Sequence, residues 1–180
     1  MIRTSRLAPV LLAALGVFAR AEDPRFGVQL HGSIPSGDLN DAVDGKLGVG
    51  FGAHGTFDLG SGHMVRPRLD YTLFPEATVK AIKSKFNDLS LGADYLYFIA
   101  GKPEGLYFTG GLALHRWTVD RTEAGVNYSG SSSKPGFAGG AGYAFNASFG
   151  AEVRFLSTKY AASGKDFSAN AIQAGVTLRF

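Results

Sequence analysis

The sequence contains no cysteine. Disulfides and thiolate metal centres are therefore excluded, and packing and hydrogen bonding must hold the fold. There is one tryptophan and there are two methionines. No apolar run approaches the roughly 20 residues that a membrane-crossing helix needs; the longest, Leu7 to Phe18, is about a dozen. Excess charge is also missing once the amino end is set aside. The formal net charge of +3 comes from 18 basic and 15 acidic residues. Arg3, Arg6 and Arg20 lie ahead of the first acid, so the remainder holds 15 of each sign. A clustered basic face for nucleic acid is not implied.

What is present begins with an export signal. A basic start, the run Leu7–Phe18 and the small-x-small site Ala19-Arg20-Ala21 follow in the order of a secretory signal peptide. Residues 1–21 are expected to be removed, leaving one domain over residues 22–180. That domain is rich in glycine, tyrosine and phenylalanine.

Period-two alternation dominates the rest, as strands with one apolar and one polar face require. Leu47, Val49, Phe51, Ala53, Phe57 and Leu59 alternate with Gly48, Gly50, Gly52, His54, Thr56 and Asp58. Similar rows run through Phe26–Ile34, Val65–Leu73, Leu89–Ile99, Leu106–His115, Phe137–Phe145, Phe149–Phe155 and Ile172–Phe180. Eight strands result, most near the ~9–11 residues that cross a bilayer on a tilt. The connections alternate in length. Pro35–Lys46, Pro75–Asn87, Asp120–Lys134 and Ser157–Ser168 are long; Gly60–His63, Ala100–Gly105 and Asn146–Ser148 are short. Long outer loops and short periplasmic turns are the pattern of an antiparallel up-and-down transmembrane barrel. Pro67 predicts a bulge or a late start in the third strand. Leu96 and Phe98, on the polar side, predict that alternation fails at that end of the fourth.

The polar face decides which side meets lipid. It carries Arg66, Arg68, Asp70, Asp94, Glu152, Arg154, Arg179 and many glycines. A water-facing surface would carry more lysine and glutamate. Small residues and paired charges suit the interior of a narrow barrel. These seven residues, facing Asp58 and Asp88 as well, are expected to form a salt-bridged plug. Phe26, Phe57, Tyr71, Tyr97, Phe108, Tyr143, Phe145, Phe149 and Phe180 are placed to form interfacial girdles.

The segment Gln173-Ala174-Gly175-Val176-Thr177-Leu178-Arg179-Phe180 resembles the terminal strand signal of outer-membrane proteins. The domain as a whole is similar in architecture to the small outer-membrane β-barrels of the OmpA and OmpX type. The resemblance implies residence in the bacterial outer membrane as a monomer among lipids and lipopolysaccharide. It also implies recognition of Gly175, Leu178 and Phe180 by the barrel-assembly machinery. No periplasmic domain is expected after the last strand, unlike OmpA.

Catalytic signals are sparse. His31 and Ser33 share a strand face, and outer-membrane lipid A deacylases use a His-x-Ser pair with an acid. In those enzymes the pair lies near the carboxyl end on the lipid-accessible face; here it sits on the first strand and points into the lumen. His31, His54, His63 and His115 lack short ligand spacing, so no metal or cofactor is implied. Gly48-Val49-Gly50-Phe51-Gly52 lies within a strand and cannot cradle phosphate. Lys80, Lys83, Lys85, Arg121, Lys134, Lys159 and Lys165 crowd the expected loops among acids such as Asp38, Glu76 and Glu123. Tyr128–Ser133 reads as a flexible loop tip. The sequence thus predicts a non-enzymatic barrel acting in envelope integrity or surface interaction. A narrow channel and, less favoured, a lipid A-modifying enzyme stand beside it.

Overall fold

The structure, a computed structural model, describes residues 24–79, 82–162 and 164–180. The expected leader lies outside the described residues, as does Lys80. Eight antiparallel strands form a closed ring in chain order. They are β1 (Arg25–Ser36), β2 (Gly48–Gly60), β3 (His63–Val79), β4 (Ile82–Phe98), β5 (Gly105–Glu123), β6 (Val126–Ala144), β7 (Phe149–Ala162) and β8 (Lys165–Arg179). One short helix, α1 (Asp38–Ala42), interrupts the β1–β2 connection. β8 closes on β1 from Gly27↔Arg179 to Ser36↔Asn170. Closure leaves no sheet edge in hydrocarbon, where unpaired backbone groups would cost several kcal/mol each.

The alternation sorts as expected. Phe51, Leu91 and Val176 are 55%, 64% and 37% exposed on the outer wall, whereas Arg68 and Glu152 are 5% and 8% exposed inside. Inward glycines leave room for large partners. A Cβ at Gly50 would strike the His31 ring, and one at Gly142 the Tyr107 ring. With an even number of strands, both chain ends emerge on the side of the short turns. That side is periplasmic by the rule for outer-membrane barrels. Near it Tyr143, Phe145 and Phe149 pack ring on ring at 5.2 and 5.4 Å, part of an aromatic girdle.

Several expectations need correction. Three of the long connections are strand rather than loop: β3–β4, β5–β6 and β7–β8 continue outward as hairpins. Beyond the membrane both faces meet water, so the apolar alternation stops while the ladder goes on. Tyr128–Ser133 is accordingly part of β6, paired with Arg121–Arg116 of β5. Pro67 produces no bulge. It pairs with Ala93 of β4, while the β2 ladder skips from His54↔Arg68 to Phe57↔Val65 in unchanged register. The missing N–H therefore costs bonds on one side only. On the β4 side the register shifts instead between Phe74 and Ala77, where Pro75 sits, and on the β2 side beside the turn, between Asp58 and Gly60. Leu96 and Phe98 do not break the alternation; both point inward and are fully buried.

Candidate functional site

The lumen is filled in three layers. Nearest the periplasm, Met64, Leu96, Phe98, Tyr107 and Ala144 form an apolar layer. Phe98 and Tyr107 lie 4.8 Å apart between ring centres. Tyr107 links this layer to the next, since its hydroxyl donates to Glu152 Oε2 at 2.9 Å.

The middle layer is ionic. Arg66 donates to Asp94 at 2.7 Å and to Glu152 at 2.8 Å. Arg68 donates through Nε to Asp70 at 2.6 Å and through a terminal nitrogen to Asp94 at 3.0 Å. Arg154 lies 3.8 Å from Asp70 and 3.9 Å from Asp94, and its Nε donates to Gln173 at 2.7 Å. Gln29 donates to the other oxygen of Asp70. Thus Arg66, Arg68, Asp70, Asp94, Glu152 and Arg154 meet in one network. Among the described residues, Arg179, Asp58 and Asp88 make no hydrogen bond or salt bridge to it. Arg179 is buried, with no hydrogen-bond partner at Nε. Asp58 accepts from the Gly60 N–H beside the periplasmic turn. Asp88 pairs with His115 Nδ1 at 2.7 Å. Alternation assigns a residue to a face but not to a height along the barrel, so it does not say which inward charges touch.

The outer layer is apolar again and was not legible as a layer. Phe74, Phe86, Trp117, Tyr160 and Ala169 line the mouth, and α1 with the residue after it lowers Leu39 and Val43 among them. The i, i+4 spacing of those two residues was the available signal. Trp117 stacks with Phe74 at 6.3 Å and lies 6.2 Å from Tyr160. Asp38 Oδ2 fixes the helix by accepting from the Ser168 N–H at 2.8 Å and hydroxyl at 3.0 Å. Among the described residues, one void of about 20 Å³ lies beside His31 and Gln173 and another beside His115 and Arg154. Each has room for about one water molecule.

The histidines stand apart. His31 Nε2 lies 3.1 Å from Thr72 Oγ1. Ser33 Oγ is buried without a partner, so the two do not form a dyad. His54 is buried with neither ring nitrogen bonded. His63 bonds to the Tyr95 hydroxyl on the outer wall. Among the described residues, no three metal-ligating groups come together.

At the carboxyl end Gly175 is pressed against His31 and the Leu30 carbonyl, where a Cβ would clash. Leu178 and Phe180 face outward, and the Phe180 N–H donates to Phe26 O at 2.9 Å.

The geometry agrees with known proteins. A family model described as the outer membrane protein beta-barrel domain matches residues 6–180. No curated protein matches the sequence. Solved structures do. Ail, the attachment invasion locus protein of Yersinia pestis, is 16% identical with a TM-score of 0.62 over 87% of this chain and 97% of its own. Neisserial surface protein A has 16% identity and a TM-score of 0.59 over 89% of this chain and 99% of its own. The N-terminal β-barrel domain of OprF from Pseudomonas aeruginosa gives the same values. At such identities the likeness is one of fold.

Proposed function

This chain belongs to the outer membrane protein β-barrel domain family, and from that premise we propose that it is a non-enzymatic surface protein. Its work is done by the outer hairpins, in contacts at the cell surface or in support of the envelope. The observation that carries this reading is a contrast between the two parts of the molecule. The lumen is filled by three stacked layers, and the two voids beside its ionic layer are each about the size of one water. The sheet of β3, β4, β5 and β6 meanwhile continues outward to the rungs Val79↔Ile82 and Glu123↔Val126. A closed interior leaves the projecting sheet as the surface available to partners. The neighbouring protein Ail has been solved with the heparin analogue sucrose octasulfate, which fits a surface role for barrels of this fold.

The remaining parts follow from the same reading. Residues 1–21 direct export and are removed. Gly175, Leu178 and Phe180 form the insertion signal read by the barrel-assembly machinery. The protein then sits as a monomer among outer-membrane lipids and lipopolysaccharide, with the charge layer of Arg66, Arg68, Asp70, Asp94, Glu152 and Arg154 holding the barrel closed.

The test is to replace Asp120–Ser129 with an Asn-Gly turn, which closes the hairpin at the Val119↔Gly130 rung. The shortened protein should keep its heat-dependent gel mobility, while expressing cells lose adherence or gain envelope sensitivity. Unchanged adherence together with unchanged envelope resistance would defeat the proposal. His31→Ala should leave the lipid A acyl pattern as it is; an altered pattern would favour the enzyme.

A further inference from the structure

The barrel wall is not uniformly laddered. β5 and β6 pair to the tip of their hairpin at Glu123↔Val126, and β7 and β8 to Ala162↔Lys165. Between β6 and β7 the ladder stops at Phe137↔Ser157. Above that rung side chains take over. Thr158 Oγ1 donates to Pro135 O at 3.1 Å, the Ala161 N–H donates to Ser132 Oγ at 2.9 Å, and Lys134 Nζ lies 2.7 Å from Asp166 Oδ1. The two outer hairpins therefore part along a seam, and the seam opens into a groove of about 480 Å³. That size lies in the range of small-ligand sites.

The groove has a definite height in the membrane. On the outer wall, the β7–β8 rungs read Phe155↔Ile172, then Ser157↔Asn170, then Lys159↔Ser168. Phe155, Ile172 and Phe137 face lipid. The next rungs are polar. The groove begins where hydrocarbon gives way to headgroups.

Its chemistry suits an anion. Lys134 and Asp166 neutralise one another, and the hydrogen bond from Lys134 holds the Asp166 carboxyl below its ordinary range. Lys159 stands exposed beside the pair and makes no salt bridge among the described residues, so the groove's two lysines outnumber its one carboxylate. Ser168 is occupied by Asp38. Ser157 and Asn170 make no side-chain hydrogen bond among the described residues, and both line the groove.

We propose that this groove holds the phosphate-bearing headgroup of an outer-leaflet lipid, with Lys159 facing the phosphate, Ser157 and Asn170 bonding to the headgroup, and Phe137 under the first acyl carbons. The lipid wedges the two hairpins at a fixed separation, in place of the missing ladder.

The experiment measures lipid retained by the full protein in zwitterionic detergent, by native mass spectrometry. The probes are diphosphoryl lipid A, dephosphorylated lipid A and phosphatidylglycerol, each with and without inorganic phosphate. Heat-dependent mobility confirms that each variant folds. Diphosphoryl lipid A should bind, and Lys159→Gln should weaken it about fivefold, as loss of one lysine at a lipid surface does. Asp166→Asn should tighten it by removing a like charge. Lys102→Gln, at a periplasmic turn and paired with Glu104 at 2.9 Å, should change nothing. Equal binding by phosphatidylglycerol upholds a lipid phosphate as the ligand. Equal binding by dephosphorylated lipid A, equal losses in Lys159→Gln and Lys102→Gln, or full displacement by inorganic phosphate would overturn the proposal.

Discussion

Asp94 accepts from Arg66 and Arg68 at once, with Arg154 at 3.9 Å. Removing it would leave buried guanidinium charge without its counterion. Breaking a buried pair in this way costs about 3–5 kcal/mol. Asp94→Ala should lower stability by that amount in urea titrations of the protein folded in lipid vesicles. Arg179 is equally buried but makes no salt bridge among the described residues, so Arg179→Met should fall within about 1 kcal/mol of the parent. Equal losses in the two variants would show that the network contributes nothing beyond its desolvation. Glycine separates in the same way. A Cβ at Gly140 would meet the Val153 carbonyl and the Arg154 backbone, whereas one at Gly110 would meet nothing within 4 Å. Gly140→Ala should cost about 1–3 kcal/mol by overpacking, and Gly110→Ala should cost none, in the same titration. The side of the wall on which each of these residues lies was legible, because period two fixes it. Which charges touch was not. Pairing depends on strand tilt and register, and sequence alternation carries neither.

At the scale of the element, the outer hairpins hold a second contrast. β5 turns into β6 through Ala124 and Gly125, with φ of 49° and 81°. Two left-handed residues in succession make the tight turn whose twist matches a hairpin. Glycine takes that conformation freely, whereas alanine is strained there. Ala124→Gly should therefore relieve the turn, offset by the greater freedom of the unfolded chain, and Ala124→Asn should stabilise it by about 0.5–1 kcal/mol with less such loss. Slower amide exchange across Thr122 and Asn127 would register the gain; faster exchange would refute it. The hairpin itself escaped sequence reading for a physical reason. Residues such as Asp120, Arg121, Ser131 and Ser132 lie in the strands where neither face meets hydrocarbon, so no apolar row marks them. The membrane segment of β5, with Leu106, Phe108, Leu112 and Leu114 outward, announced itself because lipid imposes the row. Helix α1 was hidden differently, since five residues give too little periodicity to distinguish a short helix from a loop.

For the whole molecule, the question is whether three stacked layers act as barriers in series. Eight strands leave an interior that side chains can fill. Here the filling alternates between apolar and ionic. The inner layer of Met64, Leu96 and Phe98 excludes water by dewetting, as hydrophobic constrictions do in channels. The ionic layer obstructs by direct pairing, and the outer layer depends on Leu39 of α1 and on Val43, which follows it. The closed barrel and its facing could be read from the chain, since eight rows, alternating connections and the inward charges agreed. The layering could not, because lumen residues such as Phe98 and Trp117 look like exceptions to a polar face until their heights are known. If the layers act in series, conductance follows the tightest one. The parent protein should show no ohmic steps in planar bilayers. Phe98→Ala with Met64→Ala thins only the inner layer, and Leu39→Ser with Val43→Ser only the outer; both should stay silent because Arg66, Arg68 and Asp94 still close the middle. Steps should emerge only when both sets are combined with Asp94→Ala. Steps from the parent or from a single-layer variant would mean that the ionic layer opens readily, and the narrow channel would then become the better account of the molecule.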